Sequence, residues 1–152
     1  MSVADTLAIV MALSVQPGSG NYGDIPLPPP AAEVTIVGQP GGTVSAHAAR
    51  VIDYDNAGSH LRLMGACVSA CTLVLALPRD RICVGPQVAL GFHQPTPRNN
   101  PRLATTDIGA AMAETYPGFI QQWLKANFGG LPVGTPKFMR YDVLKRYYPT
   151  CG

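Results

Sequence analysis

Hydrophobic and polar positions divide the chain into short segments of alternating type. Val3, Leu7, Val10 and Met11 recur at i, i+4, i+7 and i+8, which predicts an amphipathic helix over 1–15. Ser2 can cap it, with Asp5 in the first turn as in a capping box. The same stretch resembles a signal-peptide core. It lacks a preceding Lys or Arg and is too short to span a membrane, so a helix is the better reading. Residues 16–32, QPGSGNYGDIPLPPPAA, read as a Pro/Gly-rich connector whose PLPPP run is an extended spacer.

EVTIVGQ (33–39) predicts a buried strand, PGG (40–42) a sharp turn, and TVSAHAARVIDY (43–54) a helix. Val44, Ala48, Val51 and Ile52 form its apolar face, which leaves His47 solvated. HLRLM (60–64) alternates as a strand does, and GACVSACTLVLAL (65–77) predicts small residues leading into a buried helix. RDRICV (79–84) and QVALGFH (87–93) read as strands, and PTPRNNPR (95–102) as a loop. A helix from Thr105 to Phe128, broken near Pro117, carries the stripe Ile120, Trp123, Leu124 and Phe128. Gly129 and Gly130 end it, and a short helix over 140–147 follows. The alternation predicts an α/β fold, a largely parallel sheet flanked by helices, with 33–152 as the main body of one domain overall.

Composition changes this picture little. The chain has 152 residues, 47% hydrophobic, enough for one core. A net charge of +2 with no basic run argues against nucleic acid or an anionic membrane as partner. The cysteines Cys67, Cys71, Cys83 and Cys151 form no CxxC pair and the histidines do not fall at zinc-finger spacing, so no structural metal site is expected. No cofactor is expected either. Their even count permits disulfides. Cys67 and Cys71 fall one helical turn apart, within reach of a bridge, although small buried apolar residues are the favoured reading.

Candidate chemistry sits at three turns. The glycines of GQPGGTV (38–44) leave backbone N–H groups free between a strand and a helix, where a phosphate or an oxyanion can bind. Ser69, among the small residues of GACVSAC, stands at a strand-to-helix junction, which suits a nucleophile; on this motif alone an ordinary N-cap serine is the favoured reading. His93, in GFHQP, ends a strand, the usual place for an active-site residue in an open α/β sheet; by itself it could be a core histidine.

In order and spacing these turns resemble the proteolytic subunit of the Clp protease, within the Clp/crotonase superfamily, over about Val34 to Tyr147. The PGG turn, the turn at Ser69, RICVGPQVALGFHQP, TDIGAAMAE and KFMRYDVLKRYY carry the resemblance. Small Clp-like proteins of bacterial envelopes are more similar still, and often carry cysteines around the serine. The resemblance implies a ββα superhelix and a serine peptidase. Ser69 would be the nucleophile and His93 the general base, with the N–H groups of Gly42 and Ala70 as the oxyanion hole. Gly41, Thr43, Val44 and Thr96 would contact a peptide or protein substrate. Asp142 is a candidate orienting acid, because Pro136 occupies the place of the family's catalytic Asp. Pro97 follows where the family has small, Gly-rich residues. The resemblance also implies a homo-oligomer, with a ring as one form, and favours the periplasm over the cytoplasm. A catalytically inactive Clp-like subunit and a crotonase-like acyl-CoA enzyme are the alternative readings.

Overall fold

A computed structural model describes residues 2–14, 25–95 and 106–152. Thr96, Pro97 and the rest of the loop expected after Pro95 lie outside the described residues.

Helix α1 runs Val3–Ser14. Its cap is reciprocal: Asp5 N–H donates to Ser2 Oγ (3.1 Å), and Ser2 N–H donates to Asp5 Oδ2 (3.2 Å). Leu7 and Val10 are buried against α2 (Val44–Ala57) and α3 (Thr106–Thr115). A helix of twelve residues is marginal alone, so this burial is what holds it. None of the described helices is long and apolar enough to cross a membrane.

The chain forms a mixed α/β structure with two three-stranded sheets. β1 (Glu33–Ile36), β2 (His60–Leu63) and β4 (Ile82–Val84) form the first, wholly parallel, in the order β1-β2-β4. β3 (Ala66–Val68), β5 (Ala89–Phe92) and β6 (Lys137–Arg140) form the second. There β3 and β5 are parallel, whereas β6 runs antiparallel to β5. The expected largely parallel sheet is therefore split in two. The split arises because β2 and β3, and likewise β4 and β5, are successive short strands that leave one sheet and enter the other. Each pair then leads to a helix. One apolar cluster, from Leu7 to Tyr148, joins both sheets and the helices.

Three further expectations are corrected. Residues 65–77 do not begin a buried α-helix directly: they form β3, then a 3₁₀ helix over Ser69–Ala76. Ala70 to Leu75 are all buried, so hydrophobic periodicity carried no information about helix type there. His47 is buried rather than solvated, because it shares the packed face of α2 with Ala48, Val51 and Tyr54; its Nδ1 lies 2.9 Å from the Thr43 carbonyl one turn earlier, an acceptor that fixes the proton on Nδ1. Cys67 and Cys71, favoured as small buried apolar residues, are bridged to each other, and Cys83 is bridged to Cys151. Strand β6 had no counterpart in the pattern, because KFMR is short and flanked by basic residues at both ends.

Hydrogen bonds from two side chains, Tyr54 and Arg81, hold the flanks. The Pro-rich run packs on the core: Leu27 is buried, and the Tyr54 hydroxyl donates to the Pro28 carbonyl at 2.6 Å. Burial pushes the Tyr54 phenol up to about 12, so it remains a donor. Arg81 closes the end of α2, donating to Asp55 Oδ1 (2.9 Å) and to the carbonyls of Tyr54 (2.7 Å) and Ser59 (3.0 Å).

Candidate active site

The register of β3 and β5 places the serine and the histidine at one end of the second sheet. Val68 pairs with Gly91, so the chain continues from neighbouring parallel strands into Ser69 on one side and Phe92-His93 on the other. Both therefore emerge at carboxyl ends of strands, where ligands bind in open α/β sheets.

Ser69 has φ +57°, and among the described residues it is the one non-glycine with positive φ. This left-handed conformation costs an L-residue roughly 1–2 kcal/mol. It turns the chain sharply from extended Val68 into the 3₁₀ helix and lifts the Ser69 side chain to the junction. Ala70, the second residue of that helix, precedes its first internal hydrogen bond, so its N–H is available to an external acceptor.

Three structures surround the strained turn. The Cys67–Cys71 disulfide brackets it two residues to either side, with both cysteines fully buried. The Thr72 hydroxyl donates to the Ser69 carbonyl at 2.5 Å and lies 2.6 Å from the Tyr116 hydroxyl. The PGG turn abuts it from the third side. Gln39 N–H donates to the Ala66 carbonyl (2.7 Å) and Val68 N–H to the Gln39 carbonyl (2.9 Å), which docks the turn along β3. A Cβ on Gly41 would lie 2.7 Å from the Val68 carbonyl oxygen and 2.9 Å from Ser69 Cβ, and Gly41 has φ +95°. Only glycine fits so close an approach at that dihedral.

Gly42 is exposed with φ +152°, immediately beyond this contact. Thr43 is the N-cap residue of α2, and its carbonyl accepts the His47 backbone N–H at 3.1 Å. Val44 begins α2 and is half-buried. The turn thus brings Gly41 and its neighbour Gly42 to the Ser69–Ala70 junction, while Thr43 and Val44 lead away into α2.

His93 is half-buried. Burial pulls its pKa below the ordinary histidine value, and a backbone contact at Gln94 acts in the opposite sense. Gln94 fixes the strand end: its N–H donates to the Pro132 carbonyl (2.7 Å) and its Nε2 to the Leu131 carbonyl (3.1 Å). Among the described residues no hydrogen bond joins Ser69 Oγ to His93, and no ion pair joins His93 to an acid. Asp142 is exposed in the first turn of a short helix, Tyr141–Leu144.

No family model and no curated protein matches this chain.

Sequence reasoning missed Thr72, Tyr116 and Gln94. The spacing of Thr72, three residues after Ser69, was a usable signal for a side chain that bonds back to the turn. Tyr116 carried none, because its contact spans 44 residues. A separate cavity of about 230 Å³ lies at the amino ends of β1, β2 and β4, lined by residues that include His60, Arg62 and Cys151. It contains none of the candidate site residues.

Proposed function

We propose that the protein is a serine hydrolase of the Clp type, acting on peptide bonds through Ser69 and His93. The observation that carries this reading is the positive φ of Ser69 at a strand-to-helix turn. A residue that merely caps a helix has no use for that strain, whereas a nucleophile must be presented beside a free N–H. The paired strands that alternate between two sheets and then lead to a helix fit the ββα superhelix of the Clp/crotonase superfamily.

In this mechanism neutral His93 takes the Ser69 proton as Oγ attacks the substrate carbonyl. The oxyanion binds the N–H groups of Gly42 and Ala70, each worth about 3–4 kcal/mol of barrier in comparable sites. His93 returns the proton to the leaving amine, and water hydrolyses the acyl-enzyme. A depressed His93 pKa keeps the imidazole neutral to lower pH than usual. Two disulfides and no free cysteine fit an oxidising compartment, such as the periplasm. A homo-oligomer and a protein substrate belong to the same proposal.

A fluorophosphonate probe tests it. Wild type labels, Ser69→Ala and His93→Ala do not, and the labelling rate rises through an apparent pKa below 6.5 to a plateau at neutral pH. Folded wild-type protein that stays unlabelled from neutral to mildly alkaline pH would sink the reading. That outcome favours a catalytically inactive Clp-like subunit, a reading that Pro136 in the place of the family's catalytic Asp also supports. Acyl-CoA binding by calorimetry would instead favour the crotonase-like enzyme.

A further inference from the structure

We propose that Thr72 and Tyr116 are positioning residues that polarise the oxyanion hole through the Ser69–Ala70 peptide group. The inference rests on the reading of Ala70 N–H as an oxyanion donor and adds two residues to that site.

The geometry is a chain of buried hydroxyls. Thr72 is fully buried and Tyr116 nearly so. The Thr72 hydroxyl has one proton, which it gives to the Ser69 carbonyl at 2.5 Å. The 2.6 Å contact between Thr72 Oγ1 and the Tyr116 hydroxyl must then be donated by Tyr116. Burial holds the Tyr116 phenol far above its ordinary pKa, so its proton stays in place at any working pH. The protons run in one direction: Tyr116 O–H to Thr72, Thr72 O–H to the Ser69 C=O.

The Ser69 carbonyl and the Ala70 N–H are two ends of one amide. A hydrogen bond accepted at the oxygen draws electron density from the nitrogen and makes the N–H a stronger donor. It also fixes the amide plane, and with it the direction of the N–H bond, in a turn that the Ser69 dihedral would otherwise work to relax. Two hydroxyls out of reach of the substrate thus act on the one donor that is part of the strained turn. Tyr116 is set in turn by an edge-on contact with Phe92, ring centroids 5.2 Å apart, on the strand that ends at His93. The same tyrosine therefore touches the supports of both halves of the site.

The test uses Thr72→Val, which keeps shape and loses the hydroxyl, Thr72→Ser, which restores it, and Tyr116→Phe. Two quantities are read: the fluorophosphonate rate constant with its binding constant, and the Ala70 amide proton shift by NMR. Cooperative strengthening of about 10–30% per bond, on a donor worth about 10²–10³ in rate, predicts a roughly two- to eightfold slower reaction in Thr72→Val. Binding of the probe is unchanged, the Ala70 proton moves upfield, and Thr72→Ser recovers both. Tyr116→Phe gives a smaller change in the same direction, and it keeps the test open if Thr72→Val fails to fold. An Ala70 proton that does not move in either variant overturns the proposal, whatever the rate does. If the wild type is inert to the probe but the Ala70 proton shifts in Thr72→Val and returns in Thr72→Ser, the polarisation stands and the peptidase reading falls.

Discussion

Ser69 is held where its own backbone does not favour it. A serine at φ +57° is strained, and glycine at the same dihedral is not. Ser69→Gly should therefore abolish probe labelling while raising Tm by about 2–4 °C, the shift expected for about 1 kcal/mol in a chain of this size. A Tm that falls instead would mean that the turn is not strained. His93 shows a conflict of another kind. Burial disfavours its cation, so the unfolded chain binds more protons below the ordinary histidine pKa, and stability declines as pH drops through that range. The same burial keeps the ring neutral to lower pH, which the proposed role as general base requires.

At the scale of the element, β3 and the 3₁₀ helix form one unit closed by a short disulfide. Cys67 and Cys71 are four residues apart, and in the chain-entropy model so small a loop contributes about 2 kcal/mol. Its larger role is local, since it spans the residue with the unfavourable dihedral. The double variant Cys67→Ala/Cys71→Ala should thus lose stability on the order of 2 kcal/mol by denaturant titration. Its labelling rate should fall by more than tenfold, measured on protein that remains folded. A labelling rate equal to that of wild type would show that Thr72 and Gly41 suffice to hold the turn. Gly41 is the complement of this unit: its missing Cβ is the space that the Val68 carbonyl and Ser69 occupy.

For the whole molecule the second disulfide matters more. Cys83 and Cys151 are 68 residues apart, and a loop of that length is worth about 4 kcal/mol in the same model. The bridge ties the C-terminus to β4, beside the hydrogen bonds from Val84 N–H to Pro149 and from Cys151 N–H to Val84. The two bridges also differ in access. Cys67 and Cys71 have no exposed surface, whereas Cys83 and Cys151 are partly exposed. Mild reductant followed by alkylation and peptide mapping should tag Cys83 and Cys151 first and leave the Ser69 turn closed. Equal tagging of all four would mean that global unfolding, not access, controls reduction.

Much of this was legible in the chain. The reciprocal cap of Ser2 and Asp5, the apolar face of α2 and the break at Pro117 followed from local periodicity and turn chemistry, which depend on neighbours within a few residues. The three turns that hold Gly41, Ser69 and His93 could be picked out for the same reason: Gly pairs and small residues mark sharp changes of direction. What the sequence could not decide was which distant groups meet. The division into two sheets, the antiparallel place of β6, the Cys83–Cys151 bridge and the contact of Tyr116 with Thr72 all join segments far apart in the chain. No local pattern encodes them, because each depends on how the whole apolar cluster closes. The sequence by itself determined where the chain could turn, because Gly pairs and small residues act locally. Only the tertiary structure decided that the PGG turn lies against the serine, that the serine is strained there, and which buried hydroxyls hold it.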